Sequence, residues 1–549
     1  MKQLFACLLS LLVVNAGAQS VKWHYNLRDV SFGQTTAKDV DGDGKLELIF
    51  STYWNDSNVY CLNAEDGSLK WKHRQPGPGG GCNDAGPLLF NPFNNGNYKV
   101  VVPGSCMDTT FCYDADSGYV QWKTVTGGGD SPPSMVDLDH DGYPEVLHGT
   151  FFGNVKCLDG RTGATRWTLA VDANAAIESE PTITYGTDTV FTVGTWDFTY
   201  DSNRIACYKT ADHSLKWKYY VHDLLYHGPA TGDLFRTGQK QLVMGDYSGY
   251  LYCLNAADGS LRWKDSVSKQ SGGYIGAPVT LADLNNDGYL DIIYMDGSMV
   301  RAVNRNDTEL WRYTPPSDFT DFRGAVVADV NNDNIKDVTF ASYWGKVISL
   351  DGATGAVIRS FDTRAYAADS LGNTSSIYEI DNAPIIADFD HDGILDVFVI
   401  GGKGRSDTST YNDYGYAFCL NWGVGKGPDW LMFRHDEQRT GCLCDINGLP
   451  LAVADAQTQT TDQPKLYPNP TNGAFTLSYH NKGDRQDIEY ILLDMTGREV
   501  TTTHHSTAEH GDNTLSIPAT VSATLPNGNY MLSVKGETIN WHVRVTIER

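Results

Sequence analysis

Positive charge is scarce in this sequence. Its 549 residues carry 42 Lys and Arg against 67 Asp and Glu, a formal net charge of −25 at pH 7. A nucleic-acid surface needs a basic face, so the imbalance argues against a nucleic-acid partner. Long apolar runs are scarce too. The first, Leu4 to Val14, is too short to span a bilayer and no later stretch does, so no transmembrane segment is expected in the mature chain. No G-x-S-x-G, H-E-x-x-H or P-loop occurs, and no two cysteines are adjacent. Hydrophobic residues at 41% and charged residues at 20% are ordinary for a globular chain, and the length is ample for a large core.

The N-terminus reads as a secretion signal over residues 1–18. Lys2 supplies the positive region, Leu4 to Val14 the apolar region, and Ala16-Gly17-Ala18 a small-residue cleavage site before Gln19. Cys7 precedes the apolar region's end, which argues against a lipoprotein. The mature protein is therefore expected outside the cell, where calcium is plentiful. Six of the later cysteines, Cys61, Cys112, Cys157, Cys207, Cys253 and Cys419, fall at one repeated motif position that Ala302 and Ser349 take in two other copies. A place shared by Cys, Ala and Ser is a small buried strand position. Cys82 and Cys106 lie outside that register and could pair. Cys442 and Cys444 have no second Cys or His pair nearby, which disfavours a metal site.

A nine-residue acidic loop recurs five times. The copies supply Asp39, Asp41, Asp43 and Glu47; Asp137, Asp139, Asp141 and Glu145; Asp283, Asn285, Asp287 and Asp291; Asp329, Asn331, Asp333 and Asp337; and Asp388, Asp390, Asp392 and Asp396. Oxygen side chains thus stand at positions 1, 3, 5 and 9, and position 6 is Gly, or Asn in one copy. Calcium takes six to eight oxygen ligands, and a loop closing on it needs alternating ligands and a sharp turn. Position 7 would add the backbone carbonyls of Lys45, Tyr143, Tyr289, Ile335 and Ile394. Five structural calcium ions are expected; the bland alternative is an acidic turn that holds nothing.

The loops are followed by a strand, a tight turn and a second strand ending in Trp, as in V-Y-C-L-N-A-E-D-G-S-L-K-W from Val59 to Trp71, with Arg359 in place of the Trp in unit seven. Trp71, Trp122, Trp167, Trp217, Trp263 and Trp311 lie 45 to 51 residues apart. Four short strands at that period predict propeller blades. Eight units start near Thr35, Ala85, Pro133, Pro181, Pro229, Pro278, Ala325 and Pro384. Units two, four and five have lost the acidic loop, unit two through Lys99 and unit five through D-L-F-R-T-G-Q-K-Q from Asp233. The last unit lacks a fourth strand, and Val21 to Leu27 reads as an orphan one that completes it. The expected fold is an all-β, eight-bladed propeller over residues 19–445, with seven blades as the alternative. Trp430 to Gly441 is expected to pack across the ring.

The acidic loops resemble FG-GAP/VCBS repeats and the hairpins resemble PQQ-like blades, together over roughly residues 21–443. Quinoprotein dehydrogenases of the latter kind often carry adjacent cysteines over the cofactor; their absence here argues against bound PQQ. Residues 446–464 read as a polar linker. Tyr467-Pro468-Asn469-Pro470, the turn from Asp494 to Gly497 and the N-G-N-Y strand from Asn527 resemble a type A C-terminal sorting domain of the Bacteroidetes type IX secretion system. The resemblance implies a small Ig-like β-sandwich over residues 465–549 and the type IX machinery as a partner.

In a four-stranded blade the acidic loops share one face, and the loops between strands two and three share the other with the connections between blades. The second face holds Tyr53, Trp54, Phe151, Phe152, Trp196, Tyr247, Tyr343 and Trp344 with Asp130, Glu178, Glu180, Asp197, His227, Arg323, Glu379 and Asp381. Rings beside carboxylates suit sugars, and Trp54, Trp196, Tyr247 and Trp344 are the candidate ligand residues; such rings can equally pack between blades. Glu178 and Glu180 would point the same way on a strand, but no second group is placed to help them and no catalytic residue is assigned. The favoured expectation is a surface binding or adhesion module for glycan or protein. The second is a secreted carbohydrate-active enzyme, a polysaccharide lyase or hydrolase. Carboxylates converging in a cleft with Arg or His would favour the enzyme; a flat face with exposed rings would favour binding.

Overall fold

The computed structural model describes residues 19–441 and 465–547, apart from 76–81, 93–95, 140, 142, 186–188, 200–201, 267–272, 321, 374, 376, 405–412, 437–438, 468–470, 482–484, 495–499, 524 and 537–539. The expected signal peptide, the linker, the Cys442/Cys444 pair and parts of the sorting motifs lie outside these residues. The chain divides into two compact units, Met1–Leu451 and Ala452–Arg549.

The first unit is a β-propeller. Among the described residues it holds eight antiparallel sheets, numbered here in chain order. Sheet 1 runs Thr36–Lys38, Glu47–Ser51, Asn58–Asn63 and Leu69–Arg74, each strand pairing with the next. The first strands of the others are Leu88–Phe90, Ser134–Val136, Thr182–Thr184, Ala230–Gly232, Thr280–Ala282, Val326–Asp329 and Ile385–Ala387. These starts lie within three residues of the repeat starts read from the sequence. In sheet 8 the fourth strand is Ser20–Leu27, which pairs with Tyr414–Val424. The N-terminal strand therefore completes the last sheet and covers what would be an open edge.

One tryptophan device joins the sheets. Trp71 Nε1 donates to Ala115 O of sheet 2 at 2.8 Å, and Trp122, Trp217, Trp263 and Trp311 reach the turns of sheets 3, 5, 6 and 7 in the same way. Trp23 of the N-terminal strand donates to Ala64 O of sheet 1 at 2.7 Å, which closes the circuit. Each such ring removes roughly 150–250 Å² from water, worth roughly 4–6 kcal/mol of transfer free energy. The repeated small residue faces this Trp across the hairpin: Cys61 pairs with Trp71, Cys419 with Trp23 and Ala302 with Trp311. Where Arg359 replaces the Trp, its partner is Ser349, and Trp422 of sheet 8 donates to Ser349 Oγ at 2.7 Å.

The rings of Trp23, Trp71, Trp122, Trp217 and Trp311 each lie against the turn glycine of the next sheet. A Cβ on Gly118, at φ +72°, would stand 2.6 Å from the Trp71 ring. Gly118→Ala is expected to cost roughly 2 kcal/mol or more. Gly372 ends the helix Thr363–Leu371 at φ +70° with nothing within 4 Å of its missing Cβ. Gly372→Ala therefore carries only the left-handed strain, roughly 1 kcal/mol. Urea unfolding of both variants measures the difference.

The segment after sheet 8 returns through the ring. Lys426–Trp430 pairs with the first strand of sheet 7, and Leu431 O accepts from Ile386 N of sheet 8 at 3.1 Å. Arg439 donates to Thr35 O and Pro87 O ahead of sheets 1 and 2, and Gly441 O accepts from Thr231 N of sheet 5. Residues 426–436 and 439–441 thus bridge the inner strands and plug the axis, so the ring has a floor.

The second unit packs a three-stranded sheet, Lys465–Tyr467, Phe475–Asn481 and Gly511–Ile517, with a four-stranded one of His504–Ala508, Gln486–Asp494, Gly528–Lys535 and Asn540–Ile547. Alternate residues Phe475, Leu477 and Tyr479 meet Ile488, Tyr490 and Leu492 in one shared core, the pattern that period-two strands impose on a half-buried sheet.

Candidate functional site

The acidic loops join strands one and two, and the four that are described throughout adopt one geometry. In sheet 1, Asp39 accepts from Gly42 N at 2.7 Å and Gly44 N at 3.0 Å, and Asp41 accepts from Asp43 N at 3.0 Å. The same wrapping recurs around Asp283, Asp329 and Asp388, each accepting from the amides four and five residues on. In those four loops positions 4 and 6 are both left-handed, as at Asn286 and Gly288, Asn332 and Asn334, and His391 and Gly393. Only the sixth was apparent from the sequence. Carboxylate oxygens of Asp39, Asp41 and Asp43 lie within 4.8 Å of one another, as do those of Asp137, Asp139 and Glu145 and those of Asp388, Asp390 and Asp396.

Position 9 ties each loop to the core. Glu47, Glu145, Asp291, Asp337 and Asp396 are buried, and each accepts from the amide of position 2 at 2.8 to 3.2 Å. Burial, with the neighbouring carboxylates, pushes Glu47, Asp291, Asp337 and Asp396 up to about 7. Glu145 is raised by the same causes. Crowded negative groups of this kind are what a bound cation would neutralise. In sheet 5 Gln241 makes the position-9 bond without charge, and in sheet 2 Lys99 binds Asp114 at 2.6 Å.

On the opposite face the loops between strands two and three bond to the connections between sheets: Tyr53 N to Val30 O, Phe151 N to Gly128 O, Tyr343 N to Phe319 O. There the residue four places before each first strand points to one centre. Sheets 2, 3, 4 and 8 supply Asp84, Asp130, Glu178 and Asp381; sheets 5 and 7 supply Tyr226 and Phe322. Arg323 lies between them, 3.9 Å from Asp84 and 3.8 Å from Asp381. Burial raises all four carboxyls; Asp130 and Asp84 raise Glu178 further, and Asp130 and Asp381 raise Asp84. Asp84 and Asp381 lie deep in the ring, yet 19% of each side chain is open, so they line a recess.

The opposite wall is aromatic. Tyr226 packs on Phe322 at 5.0 Å and on Trp196 at 5.4 Å, Trp196 on Tyr247 at 4.6 Å, and Tyr247 on Tyr274 at 5.1 Å. Beneath, Glu180 is fully buried against Arg434 of the plug at 2.8 Å. Burial pushes Glu180 up, but Arg434 and His227 outweigh it and hold the carboxyl at about 2. Phe151, Phe152, Phe198 and Phe319 are exposed on the surrounding loops.

The structure thus brings Asp130, Glu178, Arg323, Asp381, Trp196 and Tyr247 together. Glu178 and Glu180 lie in a loop ahead of their strand and take different partners, so they are no acid–base pair. Asp197 closes its own loop on Thr199 and Ser202, and Glu379 accepts from Tyr343. Trp54 is half-buried in the loop after strand two of sheet 1, and Trp344 stacks under Arg364 away from the recess. Asp84, Tyr226 and Phe322 were missed, and their signal was a shared register position; Tyr274, which stands outside that position, was missed too. The Cys82–Cys106 disulfide forms, and it fixes the Asp84 loop, whose amide donates to Ser105 Oγ at 2.7 Å.

Residues 465–548 match the family described as secretion system C-terminal sorting domain. Residues 222–426 match the model described as outer membrane protein assembly factor BamB, a PQQ-like repeat family. The chain joins a PQQ-like repeat propeller to a type IX sorting domain. It is exported, to the surface or the medium, and handled by the type IX machinery. Among the described residues no helix is long and apolar enough to cross a membrane.

Solved structures resemble the propeller. BamB from Moraxella catarrhalis is 19% identical over 62% of this chain and 87% of its own, at a TM-score of 0.40. A quinohemoprotein alcohol dehydrogenase from Pseudomonas putida HK5 is 14% identical over 74% and 77%, at 0.50. Saccharomyces cerevisiae Sqt1 is 9% identical over 75% and 100%, at 0.50. At these identities the likeness is one of fold. No curated protein is similar in sequence.

Proposed function

We propose that this is an exported eight-bladed propeller, stapled by calcium in five FG-GAP/VCBS-like loops on one face, that recognises a glycan in the recess on the other. Its C-terminal unit is read as an Ig-like sandwich that addresses the chain for export. The observation that carries the recognition reading is the recess itself, with carboxylates and Arg323 on one side, stacked rings on the other, and exposed phenylalanines around it. Ring faces take sugar C–H surfaces while carboxylates take hydroxyls. The loops of sheets 6 and 7 meet Leu310 and Ile358 where sheets 1, 3 and 8 present Lys70, Arg166 and Lys22 to their acids. In sheet 6 Arg305 also reaches Asp287, at 3.7 Å, so the loop of sheet 7 is read as the tightest calcium site, the one that loses least to a resident cation.

A second reading, a carbohydrate-active hydrolase, is favoured by one observation: carboxyls raised by burial and by each other, beside Arg323. That is the arrangement in which one acid is held protonated while a neighbour ionises. A quinone cofactor bearing several carboxylates is disfavoured there by like charge. Incubating the mature chain with polysaccharide panels in calcium separates the readings. Binding without product release supports recognition alone, released oligosaccharide supports the hydrolase, and no interaction with any glycan overturns both.

A further inference from the structure

The charge of the recess narrows the ligand. Four carboxylates, Asp84, Asp130, Glu178 and Asp381, face one cation, Arg323. Glu178 is 94% buried, its Oε2 has no hydrogen-bond partner, and its carboxylate lies close enough to feel Asp130, Asp84 and Arg323, so it is aimed into the recess. A buried carboxylate oxygen left without a donor is costly, and four crowded acids with one basic group are costlier still. A fold gains nothing from that arrangement unless a ligand supplies the missing positive charge. An anionic polymer would meet repulsion twice, from these four groups and from a chain of net charge −25. Tyr226, Phe322 and Tyr247 form the facing wall, which suits an organic cation with an apolar or C–H face better than a bare metal ion.

We infer that the recess binds an amine-bearing sugar, its free ammonium seated among Asp84, Asp130 and Glu178 and its ring face against Tyr226 and Phe322. The inference rests on the glycan reading of this face and names the class of glycan. Ammonium–carboxylate bonds fix the amine, and N-acetylation removes both the charge and donors. Uronic-acid polymers are excluded by the same charges.

Titration calorimetry of the full mature chain in calcium tests this, with glucosamine oligosaccharide, its N-acetylated counterpart, a neutral glucan oligosaccharide and an oligouronate as probes. The glucosamine oligomer is expected to bind at least about tenfold more tightly than the others, and more weakly as salt rises. Asp84→Asn and Glu178→Gln are expected to weaken it by about tenfold or more while leaving the melting temperature unchanged or higher, because each relieves like-charge crowding. Equal binding of the N-acetylated or neutral oligomer overturns the ammonium assignment and leaves the glycan reading standing. No binding of any oligomer overturns both. Binding that is unchanged in both variants, or variants that melt lower and bind normally, show these acids to be structural and overturn the site. A calcium-binding heat in the wild type that is lost in both recess variants would assign a metal ion instead, and overturn it too.

Discussion

Stripping calcium is expected to lower the melting temperature by upwards of about 10 °C near pH 8, and by much less near pH 5. A site filled at a hundred times its Kd contributes about 2.7 kcal/mol, and five such sites contribute roughly 13 kcal/mol. For a unit of this length each kcal/mol moves the midpoint by roughly 1–2 °C. The pH dependence follows from the position-9 carboxyls. In the metal-free fold Glu47, Asp291, Asp337 and Asp396 stand at about 7, against about 4 in an unfolded chain. Between those values the folded chain holds more protons, so metal-free stability falls as pH rises through that window. With calcium the slope has the opposite sign, because protons compete for the same oxygens. Thermal scans with millimolar calcium and with chelator, at both pH values, give two curves that converge in acid. Parallel curves, or no difference near pH 8, would count against structural calcium.

The second large effect lies in the plug. Arg434→Met is expected to cost roughly 3–5 kcal/mol, because it strands Glu180 in a fully buried site. It also removes the bonds from Arg434 to Pro229 O at 2.7 Å and Gly228 O at 2.6 Å, which hold the plug to the ring. Adding Glu180→Gln to Arg434→Met is expected to recover much of the loss, since the stranded charge goes with it. In the wild type, the low carboxyl of Glu180 contributes stability above its unfolded value near 4.3, and loses it as pH falls toward 2. In Arg434→Met that contribution disappears, and the variant is expected to be less defective near pH 4 than at pH 7. Urea unfolding of the four members of the cycle measures the coupling. A single variant costing under about 1 kcal/mol, or a double variant that simply adds the two losses, would remove the plug from the stabilising scheme.

Much of the propeller was legible because its determinants are local and repeated. Trp71 and its relatives recur at near-constant spacing, a small residue must stand across from each ring, and an acidic loop precedes the hairpin in five of the eight units. Even the closing strand could be read, because Trp23 sits in a sequence like that around Trp71. The recess was only half legible. Its members share a register position but not a residue type: Asp84, Asp130, Glu178 and Asp381 stand where other sheets have Phe32, Tyr226, Gly276 and Phe322. No spacing rule joins Asp84 to Arg323 or Asp381; only closure of the ring does. Glu180 illustrates the same limit, since its partner Arg434 lies in a segment that belongs to no repeat.

Calcium content of the mature chain, measured by elemental mass spectrometry after gel filtration in calcium, tests the division of the molecule most directly. Five ions per chain are expected, falling to four in Asp39→Ala or Asp329→Ala and staying at five in Glu178→Gln. A chain that carries none, or one whose single ion is lost in Glu178→Gln, would contradict the separation of a calcium-stapled face from a metal-free recess.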